Sequence, residues 1–135
     1  MTAKFNFRID RSRGVVRITM AGFYDLADVA AFFEARRNAH AELGLPPNQH
    51  LTLNDLRRMQ IQKQEVIEAF QAGLAAPEEK ARKLAIVVDA AMARSQANRA
   101  IASDDTRYFT DVREAEAWLF EDETAAESPL AASAL

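Results

Sequence analysis

Residues Leu51–Phe70, LTLNDLRRMQIQKQEVIEAF, change period partway along. With His50 in front, HLTLND alternates apolar and polar residues as a strand does. Further on, Val66, Ile67 and Phe70, continued by Leu74, recur at the spacing of a buried helical stripe. A strand feeding a helix is half of a βαβ unit, so the neighbouring segments decide whether the fold is a parallel sheet. The junction holds Asn54, Asp55, Arg57 and Arg58. In open α/β sheets, ligands favour this place, the carboxyl end of a strand.

Working outward, the same alternation of element types repeats. Downstream, KLAIVV (Lys83–Val88) is the most continuously apolar run and reads as a strand covered on both faces. DAAMARSQANRAIAS then predicts a helix with a small-residue face at Ala93, Ala97 and Ala100, with Met92 and Ile101 beside it. TRYFT predicts a short last strand. DVREAEAWLFE predicts a last helix, with Asp111 as N-cap, Glu114 completing a carboxylate capping box, and Val112, Ala115, Trp118 and Leu119 as its buried stripe. Upstream, FNFRID and VVRITMA form a hairpin turned at Gly14. DLADVAAFFEARRNAHAELG is a helix capped by Asp25, stopped by Gly44 and Pro46–Pro47, with Leu26, Val29, Phe32, Phe33, Ala39 and Leu43 on one face. The order β-β-α-β-α-β-α-β-α predicts one α/β domain over residues 1–121, with a mixed, mostly parallel sheet of about five strands and about four helices. The first strand is expected antiparallel at one edge. Residues 122–135 read as a low-complexity tail.

Composition narrows the function. The chain has 135 residues, enough for one domain with a real core. It has no cysteine, hence no disulfide or thiolate metal site. No apolar run approaches the roughly 18 residues of a membrane span. The N-terminal residues show no apolar secretory segment, and a cytoplasmic protein is the expectation. Arginine outnumbers lysine and alanine is abundant, a bias that points to a GC-rich bacterial genome. The formal charge of −3 arises from 17 basic and 20 acidic side chains. Glu121, Asp122, Glu123 and Glu127 fall in the last fifteen residues, which leaves 17 basic against 16 acidic side chains in residues 1–120. A body so near neutrality lacks the field on which nucleic-acid binding relies.

Candidate chemistry gathers at the strand ends. Asp55, Asp89 and Asp111 would hold a divalent cation if they converged. Asp89 and Asp111 also stand where helix caps are needed, whereas Asp55 is several residues from its helix. Arg57 and Arg58, expected in the loop after the third strand, match phosphate or carboxylate oxygens, or are simply solvated. Phe23 and Tyr24 are placed to rim an apolar pocket or to pack as a lid over the helix start. Two histidines, His40 and His50, lie away from the carboxyl edge, and no nucleophile elbow or glycine-rich phosphate loop occurs. Neither catalytic residues nor a cofactor or metal site are expected.

The element order, with Tyr108–Phe109, Asp111, Ala115 and Trp118–Leu119 in RYFTDVREAEAWL, resembles the STAS superfamily, in particular its SpoIIAA-like (stage II sporulation protein AA-like) branch, related to CRAL-TRIO-type domains. The resemblance covers about residues 5–120. It implies a non-enzymatic regulatory module switched by phosphorylation of a serine in the turn that opens the second helix. That turn falls at Gln60-Ile61-Gln62-Lys63, and no Ser or Thr occurs from Leu53 to Arg94. The added charge of such a switch has nowhere to attach.

Three readings follow. A protein-interaction module docking through Asn54–Gln62 predicts a flat exposed patch. A carrier or sensor of a small apolar or amphipathic, lipid-like ligand predicts a cavity lined by Phe and Met near Tyr24, Asp55 and Asp89. An enzyme using aspartates and a metal predicts convergence of Asp55 and Asp89. The first is ranked ahead of the second, with Tyr24, Asn54, Asp55, Arg57, Arg58, Gln62 and Asp89 as binding residues. A homodimer is plausible because an open sheet leaves an edge to cover.

Overall fold

The structure is a computed structural model and describes residues 2–46, 49–93 and 105–121. Ten elements follow one another: β1 (Lys4–Asp10), β2 (Val15–Gly22), α1 (Leu26–Leu43), β3 (Leu51–Met59), α2 (Gln64–Ala75), a 3-10 turn (Pro77–Glu79), β4 (Lys83–Val87), α3 (Ala90–Ala93), β5 (Thr106–Phe109) and α4 (Val112–Leu119). The strands form one sheet in the order β1-β2-β3-β4-β5. β1 pairs antiparallel with β2 and every later pair is parallel. This is the mixed α/β arrangement that the sequence predicts. Of the segment expected to form the third helix, Ala90–Ala93 are described, as α3. Ala97, Ala100 and Ile101 of the expected small-residue face, and the tail 122–135, lie outside the described residues.

Alternation along the strands sorts the core into two layers. Val16, Ile18 and Met20 of β2 face α1 and α2, where they meet Val29, Phe32, Phe33 and Val66. Val15, Leu51, Leu53, Ala85 and Val87 face α4, against Ala115, Trp118 and Leu119. In the first layer Phe5 and Phe7 of β1 interlock with Phe32, and Phe70 of α2 closes on Phe32 and Phe33, with ring centroids 5.1–6.1 Å apart. Such offset aromatic pairs add about 0.5–1.5 kcal/mol each beyond area burial.

Helix α1 begins on a reciprocal capping box: Asp28 N donates to Asp25 Oδ1 at 2.8 Å and Asp25 N to Asp28 Oδ2 at 2.9 Å. It ends at Gly44, whose φ of 83° is the left-handed value that favours glycine there. At α4 the Asp111 side chain accepts from Arg113 N, a plain N-cap. Leu26, expected on the buried face of α1, is half exposed, while Arg36 and His40 are buried in its place. They belong to a polar layer: His40, on the apolar side of the helix by its spacing, packs as a ring, whereas the periodicity does not announce Arg36. Arg36 Nη1 donates to the Glu79 carbonyl at 2.8 Å and to Glu79 Oε1 at 3.3 Å. His40 stacks on His50 with centroids 3.9 Å apart and planes 13° from parallel, and its Nε2 lies 3.3 Å from Thr52 Oγ1.

Two irregularities shape the carboxyl edge of the sheet. Between β2 and β3 the register runs from Thr19↔Asp55 to Ala21↔Arg58, so β3 carries one residue more than β2. This is a β-bulge, and it re-aims the side chains beyond it. Leu56 and Met59, three residues apart, therefore both pack against the α1/α2 layer. The second irregularity is Gly22, at φ 89°, where a Cβ would clash with the Thr2 carbonyl oxygen. Gly22→Ala combines a left-handed backbone with a clash against main chain. The strain alone predicts a loss of about 1–3 kcal/mol, read as a lower urea midpoint at unchanged m.

Candidate functional site: a cavity over the sheet

Between the α1/α2 face of the sheet and α2 lies a cavity of about 850 Å³. Its size falls within the range of roughly 300–1,000 Å³ usual for small-molecule sites. Met20, Asn54, Leu56, Ile86 and Tyr108 line it from the strands, and Ile67, Phe70 and Leu74 from α2. Phe23, Ile61, Gln60, Gln62 and Asp89 complete its edge. Ile61 is 92% exposed, an apolar side chain held out beside an apolar opening.

One polar group stands out inside it. Asn54 pairs with Ile18 on one side and Ile86 on the other, and Ile86 in turn pairs with Tyr108. The row across the sheet is therefore Ile18–Asn54–Ile86–Tyr108, an amide where apolar packing would suit a leucine. Asn54 is only 5% exposed, and its Oδ1 accepts no hydrogen bond. A buried acceptor left unpaired costs about 1–3 kcal/mol. Tyr108, half-buried, has no hydroxyl partner among the described residues, and burial alone raises its pKa, keeping the hydroxyl protonated.

The binding residues expected from the sequence divide into three sets. Asn54, Gln62 and Asp89 line the cavity. Tyr24 does not: it is fully buried, donates its hydroxyl to the Lys4 carbonyl at 2.6 Å and packs edge-on against Phe70 at 5.5 Å. Its neighbour Phe23 is the one at the rim, so the lid of the pair is Tyr24 and the pocket residue is Phe23. Burial also raises the Tyr24 pKa.

The third set belongs to the other face. Arg57 and Arg58 are in β3, not in a loop after it, because Ala21 and Gly22 of β2 continue the ladder to Arg58 and Met59. Asp55 shares the parity of Leu53 and is in register with Val87, both on the α4 side. Arg57 grips it with Nε to Oδ1 at 2.9 Å and Nη2 to Oδ2 at 2.7 Å, and its backbone N–H adds a third bond. These bonds hold the Asp55 pKa below the usual carboxylate value although desolvation works against them. Asp55 is thus satisfied by its own strand, and Asp89 opens on the opposite face. Among the described residues no group of three or more carboxylate or imidazole side chains is placed to hold a metal ion.

The turn before α2, where the resemblance places a phosphorylatable serine, is built differently. Gln62 Nε2 donates to the Gly22 carbonyl at 2.9 Å and to the Gln60 carbonyl at 2.7 Å, and its Oε1 accepts from Tyr24 N at 2.8 Å. A glutamine ties the end of β2 to the start of α2 and so fixes one wall of the cavity. The sequence offers little warning of the cavity-lining set. Met59 reaches the wall only through the bulge, and Ile86 and Tyr108 read as ordinary strand residues. Asn54, Gln62, Asp89 and the rim residue Phe23 are the lining residues that the sequence does point to.

Known proteins place the fold. No family model matches the chain, and no curated protein matches it. Among solved structures it is similar to an uncharacterised protein of the DUF3478 family with a SpoIIAA-like fold from Shewanella loihica PV-4, at 17% identity and a TM-score of 0.63, over 88% of this chain and 96% of that one. It is also similar to an anti-sigma factor antagonist from Mycobacterium paratuberculosis, at 12% identity and a TM-score of 0.62, over 87% of this chain and 94% of that one. The fold is SpoIIAA-like, of the STAS type. No helix among the described residues is long and apolar enough to cross a membrane.

Proposed function

We propose that this chain is a non-enzymatic STAS-like regulatory module whose cavity takes up a small apolar or amphipathic ligand. The observation that carries the reading is the cavity itself, about 850 Å³, walled by Met20, Phe32, Leu56, Met59, Phe70 and Ile86 and holding a buried amide oxygen without a partner. The ranking of the sequence-based readings is therefore reversed, with the ligand carrier or sensor ahead of the docking surface. The metal-dependent enzyme loses its support, since Asp55 is committed to Arg57 and faces away from Asp89.

Docking of a protein partner around Asn54–Gln62 is the second reading, favoured by the exposed side chain of Ile61. The two are compatible, because Ile61 lies on the cavity's edge, where occupancy would be felt by a partner. One structural neighbour is an anti-sigma factor antagonist, and it supports this reading by analogy of fold only. Nile red, an uncharged apolar dye, provides the test. Saturable one-site binding to the wild type is expected, with at least a tenfold loss in Leu56→Trp, whose indole occupies the cavity. Non-saturable fluorescence, or equal binding by the variant, would contradict the reading.

A further inference from the structure

The polar side chains on the cavity wall are Asn54, Gln60, Gln62, Gln71, Asp89 and Tyr108, and Asn54 is the most buried of them. Asn54 Oδ1 is an acceptor only, it is unpaired, and the residue is 5% exposed. Among the described residues no Lys, Arg or His lines the cavity, and Asp89 is the one carboxylate that does. Tyr108 stands two strands from Asn54 in the same row, about 10 Å away at the usual strand spacing. Gln62 contributes nothing further, since both ends of its amide are engaged in the turn.

Resting on the reading of the cavity as a ligand site, we propose that its ligand is an uncharged amphiphile whose head group donates a hydrogen bond, from a hydroxyl or an amide N–H, to Asn54 Oδ1, and that carboxylates are rejected. The reasons are chemical. A carboxylate has no proton to give Asn54 Oδ1, so whatever it accepted from Nδ2 it would leave that buried acceptor unpaired. It would also shed its hydration in an apolar space where no described cation compensates it. An ammonium could donate, but its charge would be desolvated at a neutral partner. A neutral hydroxyl meets the acceptor at the lowest cost, and its chain then lies among Met20, Leu56, Phe70 and Ile86. The Tyr108 hydroxyl is available to a second polar atom farther along the ligand.

Three probes of equal chain length separate these cases: 1-decanol, decyl methyl ether, which lacks the donor, and decanoate, which is anionic at neutral pH. Each displaces Nile red from wild-type protein and from Asn54→Leu, with Asn54→Val as a second variant should the larger side chain fail to fit. The wild type is expected to bind decanol about ten- to a hundredfold more tightly than the ether or decanoate, the range set by pairing one buried acceptor. In the variants Nile red still binds, and the advantage of decanol over the ether disappears. Equal affinity for decanol and either other probe, or a preference that survives loss of the amide, would overturn the proposal while the cavity reading stands. If Nile red itself does not bind saturably, the cavity reading fails and the proposal fails with it.

Discussion

Replacing Glu79 by glutamine is expected to destabilise the protein by about 3–5 kcal/mol, the usual cost of removing one partner from a buried ion pair. Arg36 is 1% exposed and Glu79 3%, with Nη1 3.3 Å from Oε1, so both charges are out of water. Burial pulls the Arg36 pKa down while Glu79 holds it up. Glutamine keeps the shape and removes the charge that compensates the guanidinium. Arg37, whose Nη1 is 4.0 Å from Glu79 Oε2, is half exposed and would be left to solvent. The double variant Arg36→Met/Glu79→Gln discriminates between a lost charge partner and a general packing fault. It should recover most of the loss, because a methionine in the same space brings no charge to desolvate. Urea unfolding at constant m measures both. A loss below about 1 kcal/mol in the single variant would mean that water reaches the pair and relieves it.

Acid should unfold the protein earlier than its carboxylates alone would. Burial, then the nearby Arg36 charge, pushes the His40 pKa down from 6.5 to about 3 and the His50 pKa from 6.5 to about 4. Well above pH 6.5 both rings are neutral in the folded and unfolded chain, and stability does not depend on them. As pH falls below 6.5 the unfolded chain takes up two protons that the folded one refuses. Stability then drops by as much as about 2.7 kcal/mol per pH unit until the folded pKa values are reached. Asp55, whose folded pKa is depressed, adds its own loss only below its ordinary value of 3.8. A pH series of urea midpoints on the wild type and on His40→Gln/His50→Gln checks this. The variant should be flat between pH 6.5 and 4.5, where the wild type slopes; parallel curves would show that the rings are protonated in the fold.

The polar layer marks the limit of what could be read from the sequence. Strand and helix periods were enough for the sheet, its antiparallel edge and the caps at Asp25, Gly44 and Asp111, because each of these is set by residues a few positions apart. Arg36 could not be recognised as buried, since its partner Glu79 is 43 residues away and reaches it only through the turn after α2. The same holds at the carboxyl edge. HLTLND looks finished at Asp55 because two arginines follow, yet pairing with β2 carries the strand to Met59 and the bulge turns Met59, not Arg58, toward the helices. Phe23 and Tyr24 are adjacent and alike in composition. A bridge between Thr2 and Phe23 holds the strand end, and Tyr24 turns inward to the Lys4 carbonyl. Asn54 and Gln62 are the site residues whose types already suggested polar work. The space beside them is a product of packing and has no local signature.

Methyl NMR tests directly whether that space is a ligand site. Protein labelled at Met, Ile, Leu and Val methyls is titrated with 1-decanol. The expected result is saturable shifts at Met20, Leu56, Met59, Ile67 and Ile86, which line the cavity, with Val15, Leu51, Leu53 and Leu119 on the α4 face unmoved. Shifts on the α4 face, or none that saturate, would contradict it.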